Sequence, residues 1–329
     1  MDNIEALLNT ARGRTILVLG DVMLDEWIIG TASRISPEAP VPVVRWTQRH
    51  TAPGGAANVA MNLLRLGAQV RVCGVVGPDE AGDDIRRELS EGGAEVSGIL
   101  TDALRPTTLK TRIVAQAQQM VRVDRESDEP LPRDVVQALE TQIESLLQGV
   151  DALCISDYDK GLAASDAVAF ALRTAKEMGI FVTGGPKPHN LAHFENANFL
   201  SLNQKEAGEA AGVKIESDET VERAGKVLQA QTQAQALAIT RGARGVSLFE
   251  NNCPPQHVPA HTVEVFDVAG AGDTFLAAAT LALAAGADCL QGTTIGNLAA
   301  AASVRHVGVV AVTPEEVLRV ANENVESAL

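Results

Sequence analysis

Short runs rich in Val, Ile and Leu recur along the chain at residues 15–20, 70–76, 152–156, 180–183 and 236–240. They are apolar without strict alternation, the pattern of strands buried on both faces. Ala-rich stretches near 56–66, 82–91, 133–148, 165–178, 203–211, 219–230 and 273–285 lie between or after them and predict helices. This alternation predicts an α/β fold, a three-layer doubly wound sheet, mainly parallel, with helices on both faces. Ligands of such sheets bind beyond the carboxyl ends of the strands, where loops meet helix N-termini. Two stretches break the pattern. Residues 23–48 and 105–125 carry few helix signals and alternate instead, as in Thr108-Leu109-Lys110-Thr111-Arg112-Ile113-Val114. They predict strands of a small second sheet, a lid or a dimer surface on one domain spanning 1–329.

Composition narrows the picture. Aromatic residues make up only 3% of the chain, so Ala, Val, Leu and Ile must build the core. A formal charge of −15 excludes a nucleic-acid backbone or an anionic membrane as the main partner. Isolated Lys and Arg near glycine loops therefore become informative. Cys73, Cys154, Cys253 and Cys289 form no Cys-x-x-Cys pair, which suits a reducing compartment rather than a zinc site or disulfide framework. The N-terminus lacks the apolar run of a signal peptide, and the longest apolar stretch, Phe275 to Ala285, is too short to cross a bilayer. The expectation is a soluble cytoplasmic protein.

The strongest chemical signal is Asp267-Val268-Ala269-Gly270-Ala271-Gly272-Asp273, followed at once by an apolar helical run. Gly270 and Gly272 allow a tight turn in which successive N–H groups converge. The turn meets a helix N-terminus, where the dipole favours anions. It can hold the charge that develops on a transferring phosphoryl group, while Asp273 takes a proton from an attacking hydroxyl. A capping Asp after a glycine turn is the bland alternative, and the full string outweighs it.

That string, with Thr274-Phe275 after it, resembles the C-terminal signature of the ribokinase family of carbohydrate kinases. The resemblance implies Asp273 as catalytic base and Gly270, Ala271 and Gly272 as the anion hole. An N-terminal signature is present too, in Pro53-Gly54-Gly55-Ala56-Ala57-Asn58. Paired glycines let a sugar approach the backbone, and Asn58 offers donors and an acceptor. Asn203-Gln204-Lys205-Glu206 resembles the motif that organises Mg2+, largely through water, with Glu206 as its carboxylate. Thr240, Gly242 and Gly245 resemble the ATP-side turn, and Asn297 the helix beside the adenine. Asp267, with the backbone of 302–308, matches where relatives hold a monovalent cation, K+ by expectation.

Asp21 and Asp25, with the segment 33–44, resemble the D-glycero-β-D-manno-heptose 7-phosphate kinases of that family. These phosphorylate the anomeric hydroxyl on the route to ADP-heptose and lipopolysaccharide inner core. Asp157 and Lys160, in Ser156-Asp157-Tyr158-Asp159-Lys160-Gly161, and Lys187, in Gly185-Pro186-Lys187, extend the likeness. A substrate that already carries a phosphate needs cations away from Asp273. Lys110, Arg112, Lys160 and Lys187 are the candidates, with Arg34 and Arg45 behind them. Gly185 departs from the Asp or Asn often found before the Pro-Lys pair. No His-x-Gly-His occurs, so a kinase alone is expected, a homodimer through the lid sheet.

Two other readings stay open. One is a different sugar or sugar-phosphate kinase of the same family, acting on ribose, fructose or fructose 6-phosphate. The other is a non-catalytic nucleotide- or sugar-binding protein, against which the presence of Asp273 argues. A dinucleotide-dependent dehydrogenase is disfavoured, because Gly20-Asp21 follows the first strand where Gly-x-Gly-x-x-Gly would stand.

Overall fold

The buried apolar runs become the centre of a nine-stranded sheet in a computed structural model that describes residues 2–116 and 118–326. The first half of the chain comprises α1 (Asp2–Ala11), β1 (Thr15–Gly20), β2 (Val22–Ile35), β3 (Pro42–Gly55), α2 (Ala56–Arg65), β4 (Gln69–Val76), α3 (Glu80–Glu91), β5 (Glu95–Thr101), β6 (Thr108–Ala115), β7 (Gln118–Arg125) and α4 (Arg133–Leu146). The second comprises β8 (Ala152–Ser156), α5 (Asp166–Glu177), β9 (Phe181–Gly185), β10 (Phe199–Asn203), α6 (Gln204–Ala211), α7 (Asp218–Thr232), β11 (Ala236–Thr240), β12 (Val246–Glu250), β13 (Gln256–Val258), α8 (Ala271–Ala284), α9 (Cys289–Ser303) and α10 (Pro314–Glu326).

Strand order in the large sheet is β13-β12-β11-β10-β9-β8-β1-β4-β5. All neighbours run parallel except β11–β12 and β12–β13, which are antiparallel. Alternation along β1 sets the layers. Ile16 and Val18 pack into a core with α2, α8 and α9, while Leu17 and Leu19 enter a second core with α4, α5 and α7 on the opposite face. Because β1 lies between β4 and β8, the chain leaves these neighbouring strands in opposite directions. A crevice opens beyond Gly20 and Ser156, which are in register.

The small sheet has the order β3-β2-β6-β7 and forms the lid foreseen in the sequence. It reaches further than expected, since β3 continues to Gly55 and delivers the paired glycines directly to α2. Strand β7 is exposed along its whole length. The inner end of the lid is tied to α3. Arg49 of β3 reaches Glu26 at 2.6 Å, and both Glu80 and Asp84 at 3.3 Å. Among the described residues, no helix is long and apolar enough to cross a membrane.

Candidate active site

Helix α8 begins at the crevice, and its cap is made by geometry rather than by a side chain. Gly270 adopts φ 76°, and a Cβ there would stand 2.9 Å from Asn58 Nδ2. Both facts require glycine. Gly272 is different from the expectation. It lies in the first turn of α8 without a positive φ, and a Cβ there would meet open space. Gly270 alone makes the turn, and Gly272 leaves its front clear.

Asp273 follows in that first turn. Asn58 Nδ2 donates to its Oδ2 at 2.7 Å, and the Tyr158 hydroxyl donates to its Oδ1 at 2.6 Å. Burial raises its pKa to about 6, while these donors and the nearby Lys187 charge limit the rise. Such a carboxylate is mostly ionised at neutral pH and can accept a proton.

On the lid side, Asp25 accepts from Arg112 Nη1 at 2.6 Å, and the guanidinium lies 5.0 Å from the Trp27 ring centroid. Gly54 is pressed against this pair, because a Cβ would come within 2.5 Å of Asp25 Oδ2. Lys110 and Lys160 meet through one carboxylate. Glu126 Oε2 is 3.2 Å from Lys110 Nζ, and its Oε1 is 3.0 Å from Lys160 Nζ. Asp124 joins Lys110 at 3.6 Å and Asp128 joins Lys160 at 3.0 Å. Arg34 and Arg45 are exposed towards the outer end of the lid.

Asp21 and Asp157 were expected to face the sugar. Their carboxylates are instead engaged by the protein. Asp21 Oδ2 accepts the N–H groups of Tyr158 at 2.8 Å and Lys160 at 3.2 Å. Asp157 accepts from Asp159 N at 2.8 Å, Lys187 N at 2.7 Å and Asn190 Nδ2 at 3.1 Å. Burial raises both pKa values, that of Asp21 to about 6. Their geometry is that of carboxylates that hold the 157–161 loop.

Lys187 also lies elsewhere than expected. Its Nζ sits 2.5 Å from Glu206 Oε1 and 4.9 Å from the Tyr158 ring centroid, beside Asp273 rather than remote from it. The reason is the register of β9 beside β10, which brings the end of one strand against the start of α6. Asn203 and Glu206 form a capping box on α6, with Asn203 N donating to Glu206 Oε2 at 3.0 Å. Glu206 is thus one carboxylate beside Lys187 at the end of the crevice where α6 begins. No group of three or more His, Cys, Asp or Glu among the described residues could hold a metal ion. A single carboxylate suits an ion that keeps its own waters. At Gly185, an added Cβ would press on Leu276 Cδ2 at 3.1 Å, so a polar side chain there has little room.

Across Asp273 from the lid lies a cavity of about 460 Å³. Thr240, Gly242, Gly245 and Asn297 line it, as do Ala271 and Gly272 of the turn. Its walls are Val246, Val263, Val265, Phe275, Ala300, Ala301 and Val304. Asn297 donates to Pro259 O at 2.8 Å and so fixes one rim. Asp267 accepts from Ala269 N and Gly308 N, each at 3.0 Å, and bridges the turn to the segment after α9.

The sequence motifs give Tyr158 no role, yet its hydroxyl meets Asp273. The signal that could have found it is rarity, since it is the only tyrosine in the chain.

The site can now be set beside known proteins. A family model described as "pfkB family carbohydrate kinase" matches residues 14–316. The "Bifunctional protein HldE" of Pelobacter propionicus is 39% identical over 316 residues, covering 96% of this chain and 65% of that protein. The protein of the same name from Caulobacter vibrioides is 42% identical over 306 residues, covering 92% and 62%. The chain thus spans just under two thirds of the curated relatives it matches. Among solved structures, an Arabidopsis thaliana ribokinase complexed with ribose and ATP superposes with a TM-score of 0.73 at 17% identity, covering 94% of this chain and 98% of the other. Phosphofructokinase-2 from Escherichia coli in complex with fructose-6-phosphate gives 0.75 at 20% identity, covering 95% and 99%. These two likenesses bear on the fold.

Proposed function

Because the chain belongs to the pfkB family of carbohydrate kinases, we propose that it phosphorylates the anomeric hydroxyl of D-glycero-β-D-manno-heptose 7-phosphate with ATP, giving the 1,7-bisphosphate for ADP-heptose synthesis. The observation that carries the reading is the position of Asp273. It stands at the head of α8 between a cavity sized for a nucleoside and a cluster of three cations, Lys110 and Arg112 on the lid strand β6 and Lys160 on the loop after β8. Asp273 takes the proton of the attacking hydroxyl, and the N–H groups of the Gly270 turn face the charge that develops. Asp25 and Arg112 orient the sugar, and Lys110 and Lys160 hold its phosphate. Lys187 serves the transferred group.

Asn203 and Glu206 would hold Mg2+ through water, an ion whose contribution is to neutralise phosphate charge. Asp267 with the 302–308 backbone would hold a monovalent cation, K+ in preference to Na+. The exposed Trp46, Val121 and Val123, together with the open edge at β7, support a homodimer through the lid. ADP release measured with heptose 7-phosphate beside ribose, fructose and fructose 6-phosphate tests the substrate. Preference for any of the last three would reassign it within the family.

A further inference from the structure

The hydroxyl of Tyr158 makes the shortest contact to Asp273, and the loop that carries it is fixed from below. Tyr158 N donates to the buried Asp21, Asp159 N donates to the buried Asp157, and Asp159 itself takes φ 58°. Two buried carboxylates and a residue in the left-handed region aim one side chain at one oxygen. Above the ring lies Lys187, whose ammonium also pairs with Glu206. A continuous path therefore runs from Glu206 through Lys187 and Tyr158 to Asp273, and ends at Asn58.

The geometry points to Tyr158 as a positioning residue for phosphoryl transfer, its hydroxyl fixing Asp273 as a carboxylate and its ring tying that carboxylate to the Lys187–Glu206 pair. The inference rests on Asp273 being the base. Burial favours the protonated acid, and a donor on each oxygen opposes it. The groups facing Asp273 are Asn58 of α2, Tyr158 after β8, Lys187 after β9 and Asp25 of β2, with the buried Cys154 thiol of β8 within electrostatic reach. Asp25 raises its pKa, whereas Tyr158, Asn58 and Lys187 lower it. Removing the phenol hydroxyl deletes one donor to the charged form, so the pKa of Asp273 climbs. The active, deprotonated fraction at a given acidic pH then shrinks.

The rarity of tyrosine supplies a test with two signs. In Tyr158→Phe the acidic limb of kcat/KM should move upward by about one to two pH units, the size of one hydrogen bond to a charged group. Activity near pH 6 should drop by about fivefold to fiftyfold, recover at alkaline pH, and leave both KM values nearly unchanged there. Biosynthetic replacement of tyrosine by 3-fluorotyrosine alters this one position and keeps the shape. Its more acidic phenol donates more strongly, so the limb should move downward. An unmoved limb in both proteins, or a uniform loss at every pH, overturns the proposal. Asp273→Asn run in parallel separates the two readings. Retained turnover in that variant removes the base itself, whereas its loss with no tyrosine effect removes only the role of Tyr158. If Tyr158→Phe does not fold, the fluorotyrosine protein decides alone, and a limb that stays put counts against the inference.

Discussion

On the nucleotide side of Asp273 the wall is Val, Ala and Phe side chains broken by backbone turns at Gly242 and Gly245, whereas on the sugar side nearly every group is charged and already paired. The first surface selects by shape and excludes water. On the proposed reading the second would select by exchange, an incoming phosphate competing with Asp25, Glu126 and Asp128 for the same cations. Substitutions should therefore act through volume on one side and through charge on the other. Asp273 belongs to neither and should affect turnover alone.

The largest effect tests that separation at its centre. Asp273→Asn keeps the shape and the helix start, so folding and both binding steps should survive while kcat falls by about 10²–10⁴-fold. A folded variant that keeps more than about a tenth of wild-type turnover would take Asp273 out of the chemistry. In the unmodified protein, kcat/KM should decline as pH falls through about 6. The raised pKa means that the basic form is lost from that point downward, about tenfold per unit.

On the nucleotide side, Gly245→Val should come next. Gly245 has φ 75°, and a Cβ would lie 2.0 Å from Val258 O. The backbone strain alone costs about 1–3 kcal/mol. A lower Tm and weaker ATP binding are expected with the sugar KM unchanged; a change in sugar KM instead would show that the two sides are coupled. On the sugar side, Arg112→Ala should raise the KM for the sugar phosphate about tenfold or more, the loss of one charge-assisted hydrogen bond. Normal sugar-phosphate kinetics in that variant would move the pocket elsewhere. The smallest change is the most diagnostic. Glu126→Gln frees Lys110 and Lys160 from an ion pair worth at most about 1 kcal/mol, so the sugar-phosphate KM should fall by up to about fivefold. A rise would mean that Glu126 organises the site rather than competing for it.

How much of this was legible in the chain depended on the range of the physics involved. The central strands announced themselves because a strand covered on both faces has no polar positions to hide it. Strands β5, β10, β12 and β13 did not. β10 is Phe199-Leu200-Ser201-Leu202-Asn203, too short and too mixed to stand out, and β5 carries Gly98 at its middle. Helices α1 and α10 went unread although each carries an apolar stripe of its own; in the fold α1 packs on α8 and α10 on α9. The glycine turn at the head of α8 was readable because its pattern fits into seven residues, although only Gly270 of its two glycines adopts the positive φ of the turn. Asn58, 215 residues from its partner, was found through the glycines beside it. Tyr158 lies 115 residues from Asp273 with no such neighbour to mark it, and only the fold joins them. Lys187 was misplaced for the same reason, because sequence locates the end of a strand and not the carboxylate across from it.

Helix α8 is buried at every residue from Thr274 to Leu283, with neighbours in both α2 and α9 as well as the sheet. The exposed β7 sits at the other extreme. Local opening of a protein proceeds from its least protected elements, and buried central helices exchange their amide hydrogens near the cost of global unfolding. Asp273, the proposed base, thus stands one residue before the slowest-exchanging stretch of the molecule, and the lid edge belongs to the fastest. Motion at the sugar entrance can be frequent without ever disturbing the carboxylate on which it closes.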